Sequence, residues 1–334
     1  MCAHRLLVIG CGSIGERHIR TFLQTGRCAK VVGCDRMEEA RKRVEQRYGI
    51  PTFADWSEAC TVVSPSVGVV ATPAPSHAPI AVALFKLGIP CLVEKPLTLD
   101  ESTADEVCDA QAHEGIAAAT AYVYHFIPAI HEARAFVLRG TVGRILHATA
   151  VSGQDFAALR PAFRSTYYRT RETGGGAIQD SLTHVVNVID WLLGPAKRVY
   201  CDASQQLLDG VTVEDTVNIC ARHEDALVSY ALNQIQSPNQ IEIMLHGEKG
   251  SVAIQVHRQR WGHMLRGEEN WTWHEAPVEE RDCLFVAQAN AFLDLCEGKT
   301  PTTVPATLED GRRAVQFNRA ALRSLAEGQP IDLV

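Results

Sequence analysis

Leu6-Leu7-Val8-Ile9 runs directly into Gly10-Cys11-Gly12-Ser13-Ile14-Gly15, and no other stretch restricts the folds open to this chain so sharply. Four apolar residues are too few for a helix but suit a buried parallel strand. The spacing then gives each glycine a steric task. Gly10 makes the tight turn out of the strand, Gly12 lets a pyrophosphate approach the backbone, and Gly15 lets the next helix pack on the strand. The helix opening at Ser13 and Ile14 offers N–H groups and the positive end of its dipole to the phosphates. Such a motif is weak evidence alone, and its surroundings strengthen it. Ile14, Ile19, Phe22 and Leu23 form an amphipathic stripe that stops at Gly26, and a second apolar strand, Val31-Val32-Gly33-Cys34, ends in Asp35, twenty positions past Gly15. An acid there accepts hydrogen bonds from an adenosine ribose and repels a 2′-phosphate, which favours NAD. Arg36 keeps NADP open, because a guanidinium pairs with that phosphate.

A chain of 334 residues, 46% hydrophobic and 21% charged, points to two ordinary globular domains. The net charge of −7 argues against nucleic-acid or membrane-surface partners. Eleven cysteines, odd in number and without a C-x-x-C pair, read as reduced thiols in a cytoplasmic protein. No metal site is indicated, since His131-Glu132 lacks the second histidine of H-E-x-x-H. The first apolar run ends within a few residues in glycines and charges, unlike a signal peptide. The uncharged run 61–85 is broken by Pro65, Pro73, Pro75 and Pro79, which argues against a membrane span.

The spacing predicts helices over 37–48, 78–87 and 100–114 and strands over 67–71, 90–93 and 116–123, a β-α alternation typical of a doubly wound parallel sheet. Ligands in such sheets sit beyond the carboxyl ends of the strands, so Gly10, Ala71-Thr72 and Val93 to Lys95 should face one crevice. After Tyr124 the rhythm changes. A helix over 128–138 is followed by alternating strands at 145–151, 216–221, 227–233 and 241–245, and helices over 283–297 and 308–327 close the chain. These runs predict a large, mostly antiparallel sheet with one open face suited to oligomer contact. The expected division is a Rossmann domain over 1–123 and a second α/β domain over 124–334.

Two clusters carry candidate chemistry. Lys95, between Glu94 and Pro96, lies just past a buried strand. Most lysines at such positions are simply solvated, but the following proline keeps this one extended and aims it into the crevice. Its ordinary pKa of about 10.4 must fall for it to accept a proton at neutral pH, and partial burial beside a cationic ring lowers it. The second cluster is Gly174-Gly175-Gly176 followed by Asp180 and His184 on a stripe of Val185, Val188, Ile189 and Leu192. Four residues apart on a helix, the carboxylate and the imidazole share a face and either decorate the helix or serve acid–base chemistry. The glycine triplet favours the second reading by letting a ligand approach the backbone.

Together with Ala71-Thr72-Pro73, His77 and a last helix beginning Leu308-Glu309-Asp310-Gly311, these motifs resemble the glucose-fructose oxidoreductase/inositol dehydrogenase (Gfo/Idh/MocA) family over nearly the whole chain. The resemblance implies a homodimer or homotetramer that transfers hydride between NAD(P) and a sugar, sugar-acid, nucleotide-sugar or cyclitol carbinol. It implies Lys95 as base or hydroxyl-positioning group, His184 as its acid/base partner and Asp180 as a substrate-hydroxyl ligand. Ala71, Thr72, Pro73, His77 and Glu94 would line the nicotinamide and ribose. The chain departs from the family at Ala74, where many members have Asn, and at His125-Phe126-Ile127-Pro128, which puts His125 where many members have a substrate-contacting arginine. Arg160, Arg164, Arg169 and Arg171, with Tyr167 and Tyr168, suit an anionic substrate or else a solvated loop paired with Asp155 and Glu172, with Arg164 and Tyr168 as the candidate contacts. The same residues also admit a glycosidase that oxidises its substrate transiently, or a non-catalytic NAD- and sugar-binding regulator.

Overall fold

In a computed structural model, which describes residues 4–277 and 280–333, the chain opens as an unbroken βα alternation. β1 (His4–Ile9), α1 (Ser13–Gln24), β2 (Cys28–Cys34), α2 (Glu38–Tyr48), β3 (Thr52–Phe53), α3 (Trp56–Val63), β4 (Val67–Val70), α4 (His77–Lys86), β5 (Cys91–Val93), α5 (Glu101–Glu114) and β6 (Ala118–Thr120) follow in order. Then come α6 (Pro128–Leu138), β7 (Ile145–Asp155), the single turn α7 (Phe156–Leu159), α8 (Thr183–Leu193), β8 (Ala196–Ser204), β9 (Thr216–His223) and β10 (Ala226–Asn233). β11 (Ile235–Gly247), β12 (Gly250–Gln255), β13 (Arg260–Leu265), β14 (Thr272–Glu275), α9 (Arg281–Cys296), α10 (Leu308–Glu327) and β15 (Ile331–Asp332) complete the chain. Among the described residues no helix is long and apolar enough to cross a membrane.

The first six strands form one parallel sheet in the order β3-β2-β1-β4-β5-β6. Leu6, Leu7, Val8, Val67, Val69, Leu92 and Val93 are buried, as parallel strands covered on both faces require. Asp55 and Asp100 cap α3 and α5 with their side chains. The strand expected over 116–123 is shorter, because a 3₁₀ turn occupies Val123–Phe126.

Contacts divide the chain into Met1–Phe126 with Glu279–Arg312, and Ile127–Val278 with Arg313–Val334. The expected single boundary near 123/124 is therefore corrected: α9 returns to the first unit. It does so because Ala289, Phe292 and Leu293 join the core of Leu6, Val8, Ile19 and Phe22. Ion pairs from Arg17 and Arg20 to Asp282 and from Arg27 to Asp294 and Glu297 frame that contact.

The second unit is built on a nine-stranded sheet in the order β14-β13-β12-β11-β7-β10-β9-β8-β15. Among the described residues every pairing in it is antiparallel except β7 with β10. Helix α6 packs on β12 and β13, and α8 on β7. On the opposite face Tyr200, Asn218, Cys220, Arg222, Leu227 and Ser229 are exposed, alternating with buried neighbours.

Candidate functional site

In the first unit the parallel order brings the ends of β1, β4 and β5 to one edge. There Ala71 N–H donates to Ile9 O at 2.7 Å and Glu94 N–H to Val70 O at 2.9 Å. Gly10 has φ +98°, and a Cβ on it would lie 2.4 Å from Ala71 O. A Cβ on Gly15 would lie 1.8 Å from Gly10 O, so helix α1 touches the strand end itself. A Cβ on Gly12 meets nothing within 4 Å, and no side chain caps the helix there. Two of the three glycines are thus required by protein packing, and the middle one faces open space before the N–H groups of Ser13 and Ile14.

Asp35 closes this cradle at the end of β2. Its carboxylate accepts from Cys11 N–H and from Met37 N–H, each at 2.8 Å, which fixes its direction. Arg43 donates to Cys11 O at 2.7 Å and holds the other side of the loop. Arg36 is exposed, and its carbonyl accepts from Arg41. An uncapped helix start, an open glycine and an oriented acid fit the phosphates and ribose of a dinucleotide.

Thr72 and Pro73 lead into a 3₁₀ turn, Ala74–Ser76, closed by Ser76 Oγ donating to Pro73 O at 2.8 Å. His77 is buried, with Nε2 2.7 Å from Thr72 O and Nδ1 3.0 and 3.2 Å from Pro96 O and Leu97 O. Burial pushes its imidazole pKa down, against the pull of these carbonyls and of Glu94. Both His77 ring nitrogens lie on main-chain carbonyls, and the ring pins the Thr72 turn to the segment after Lys95.

Glu94 is buried, with Oε1 2.7 Å from His18 Nε2 and Oε2 accepting Lys95 N–H at 3.1 Å. Burial raises its pKa, but the hydrogen bond and charge of His18 and the charge of Lys95 outweigh this and hold it below the usual carboxylate range. Lys95 is half-buried and precedes a cis peptide to Pro96. His125 is buried, with Nδ1 3.4 Å from Val304 O.

In the second unit, Asp180 and His184 do not share one continuous α-helix. Ile178–Leu182 forms a π turn that carries Asp180, and His184 is the second residue of α8. Such a wider turn shifts the side-chain register and is frequent at functional sites. Asp180 is buried, and its Oδ1 accepts the Tyr167 hydroxyl at 2.8 Å. Ser181 Oγ lies 3.4 Å from Asp180 Oδ2 and accepts from Gln234 Nε2 at 2.8 Å. His184 is half-buried.

Two glycines of the triplet, Gly175 and Gly176, are required by the protein's own packing. A Cβ on Gly175 would lie 2.1 Å from Tyr168 O, and one on Gly176, at φ +98°, would lie 2.5 Å from Glu214 Oε1. Glu214, itself buried, accepts Ile178 N–H at 3.0 Å and pairs with Arg171 at 3.1 Å, capping the turn that bears Asp180. Tyr168 and Tyr167 point to different surroundings. Tyr168 is 1% exposed, packs on Phe156 and Phe163, and bonds Gln234 through its hydroxyl, whereas its neighbour Tyr167, 46% exposed, reaches Asp180. Arg164 pairs with Asp209 rather than with Asp155 or Glu172.

Sequence reasoning passed over His18, Arg43, Ser181 and Gln234. His18 carried a signal: it falls four residues after Ile14 and four before Phe22, on the apolar stripe of α1, where a polar residue needs a buried partner. Gln234 and Arg43 carried none, since their partners are distant in sequence.

Comparison with known proteins agrees with this geometry. Residues 4–122 match a family model described as an oxidoreductase family with an NAD-binding Rossmann fold, and residues 130–253 match the GFO/IDH/MocA C-terminal domain. Levoglucosan dehydrogenase of Pseudarthrobacter phenanthrenivorans is 26% identical over 249 residues, covering 66% of this chain and 63% of that protein. Inositol 2-dehydrogenase of Azotobacter vinelandii is 28% identical over 197 residues, covering 56% of this chain and 53% of that protein. The matched stretch thus spans between about half and two thirds of these relatives. A levoglucosan dehydrogenase structure, solved in complex with NADH and levoglucosan, superposes with a TM-score of 0.89 over 98% of this chain and 99% of its own, at 21% identity, and shares the fold.

Proposed function

Because the chain belongs to the Gfo/Idh/MocA oxidoreductase family, we propose that it is an NAD-dependent dehydrogenase that oxidises a carbinol carbon of a sugar or cyclitol. One observation carries this reading: the edge that holds the open Gly12 cradle and the oriented Asp35 also carries Lys95 at the end of β5. Gly10, Gly12, Ser13, Ile14 and Gly15 would hold the pyrophosphate and Asp35 the adenosine ribose, while Ala71, Thr72, Pro73 and Glu94 flank the nicotinamide end. NAD, when bound, supplies the hydride acceptor. Lys95 accepts the proton of the reacting hydroxyl. Asp180 accepts hydrogen bonds from sugar hydroxyls, held for this by Tyr167 and Ser181, and His184 holds or returns the proton. His125 keeps its assignment as a substrate contact.

A neutral polyol fits better than a sugar acid or nucleotide sugar. Arg164 and Arg171 of the basic loop are already paired with Asp209 and Glu214. Two relatives take their names from levoglucosan and inositol, uncharged hydroxyl compounds, in line with this. The open face of the nine-stranded sheet, with Tyr200 and Leu227 exposed on it, suits a homodimer or homotetramer. Free thiols, among the described residues, suit a reducing cytoplasm.

The test is a screen of inositols, aldoses, anhydrosugars, sugar acids and nucleotide sugars with NAD and NADP, read by NADH absorbance. Lys95→Ala should lower turnover on the hit by about 10²–10⁴. Unchanged turnover would reject the assignment of Lys95. Cleavage of a glycoside without net NADH would move the protein to transient oxidation, and NAD binding without any turnover would make it a regulator.

A further inference from the structure

We propose that His18 and Glu94 form a positioning pair that ties helix α1, whose first turn faces the dinucleotide phosphates, to the backbone of Lys95. The inference rests on the reading of Lys95 as the proton acceptor. His18 and Glu94 are 1% and 5% exposed, and their contact of 2.7 Å joins two elements far apart in sequence. A buried carboxylate is expensive unless every oxygen has a partner. Here each has one: Oε1 has the imidazole and Oε2 has Lys95 N–H. The His18 ring is itself fixed edge-on against Phe285 of α9, at 5.9 Å between centroids, and stands against Phe22 on its own helix. The groups facing Glu94 are therefore His18 from α1, apolar Phe285 behind it from α9, His77 from α4, and Lys95 on its own segment.

Two consequences follow from this placement. The pair gives Lys95 one backbone orientation, because a charge-assisted acceptor holds its N–H. Its carboxylate also attracts the Lys95 ammonium, so removing the charge must loosen the side chain as well as the backbone. A role in packing alone would move neither property.

The experiment uses the full chain with NAD bound. Lysines are reductively methylated with a ¹³C label, and the Lys95 resonance is the one lost in Lys95→Arg. Glu94→Gln keeps the shape but removes the charge that holds Lys95 N–H, and should broaden or split the Lys95 resonance. His18→Phe should broaden or split that resonance and lower kcat with little change in KM, and His18→Gln, which restores a donor to Oε1, should recover a single resonance. A single parent-like resonance in folded Glu94→Gln, or in His18→Phe, overturns the proposal. If Glu94→Gln fails to fold, the two His18 variants decide the matter alone. Loss of the Lys95 base reading would show separately, as retained turnover in Lys95→Ala, whereas the resonance measurements need no substrate.

Discussion

Gly12→Ala isolates the dinucleotide cradle from the fold that carries it. A Cβ at Gly12 meets nothing within 4 Å, and its φ of −68° suits any residue. Alanine is a poorer N-cap than glycine by some tenths of a kcal/mol, and the stiffer unfolded chain returns about 0.4–1 kcal/mol, so stability should change by less than about 1 kcal/mol. Binding should respond quite differently. A methyl group where the pyrophosphate approaches displaces it from the first N–H groups of α1, and each charge-assisted bond lost is worth about 1.5–3 kcal/mol. At about 1.4 kcal/mol per tenfold, NAD affinity should fall by about tenfold to a hundredfold. Gly15→Ala is the control, because its Cβ would lie 1.8 Å from Gly10 O and must push α1 off the sheet, at about 1–3 kcal/mol or more. Calorimetric titration with NAD and thermal melting separate the two effects. The reasoning fails if Gly12→Ala binds NAD like the parent, or melts as low as Gly15→Ala.

Other substitutions probe the second unit. Tyr168→Phe should cost about 1–3 kcal/mol by taking the hydroxyl donor from Gln234 Oε1, with substrate KM unchanged, whereas Tyr167→Phe should leave the melting temperature alone and weaken kcat/KM by about tenfold. Gly176→Ala should destabilise by about 1–3 kcal/mol in chemical denaturation, since φ +98° and the Glu214 carboxylate both oppose a side chain. Asp215 is buried, yet N–H bonds from Leu208, Leu207 and Gln206 hold its pKa below the usual carboxylate range. A depressed folded pKa stabilises above the unfolded value of about 4 and loses that contribution as pH falls through the folded value. Asp215→Asn should therefore melt earlier at neutral pH and show a flatter decline than the parent below about pH 4, measured by thermal melts across pH.

What was legible in the sequence was what local geometry decides. The Gly10, Gly12 and Gly15 spacing, the apolar strands and Asp35 all act within one βαβ unit, so their positions follow from chain order alone. Where the partner is remote, the reading turned. The glycine triplet reads as an invitation to a ligand, and only the fold shows that Tyr168 and Glu214 crowd Gly175 and Gly176. Tyr167 and Tyr168 are adjacent and chemically equal, and only the phase of a 3₁₀ turn sends one to the core and the other to Asp180. Helix α9 sends Ala289, Phe292 and Leu293 into a core shared with Leu6, Val8, Ile19 and Phe22 of the first strand and helix, a match that chain order does not announce. The π turn at Ile178–Leu182 has no composition of its own that separates it from the helix it opens.

Three of the carboxylates that hold loops share a task that no motif announces. Asp35 accepts Cys11 N–H in the glycine loop, Glu94 accepts Lys95 N–H, and Glu214 accepts Ile178 N–H at the turn bearing Asp180. Each is an ionised acceptor on a backbone donor, about twice as strong as a neutral bond, and each holds the loop that carries a candidate functional residue. Glycine-rich and proline-flanked segments are the parts of a chain with most freedom to lose or least regular hydrogen bonding, so without such anchors the groups they carry would sample many orientations. A carboxylate at each hinge converts that freedom into a fixed direction before any ligand arrives, which is the condition under which binding energy goes to the reacting atoms instead of to ordering the protein. An amide in place of each carboxylate keeps the acceptor and removes the charge. If anchoring is their shared role, Asp35→Asn, Glu94→Gln and Glu214→Gln should each raise amide hydrogen exchange at the loop they hold, whereas a purely electrostatic role would leave exchange as in the parent.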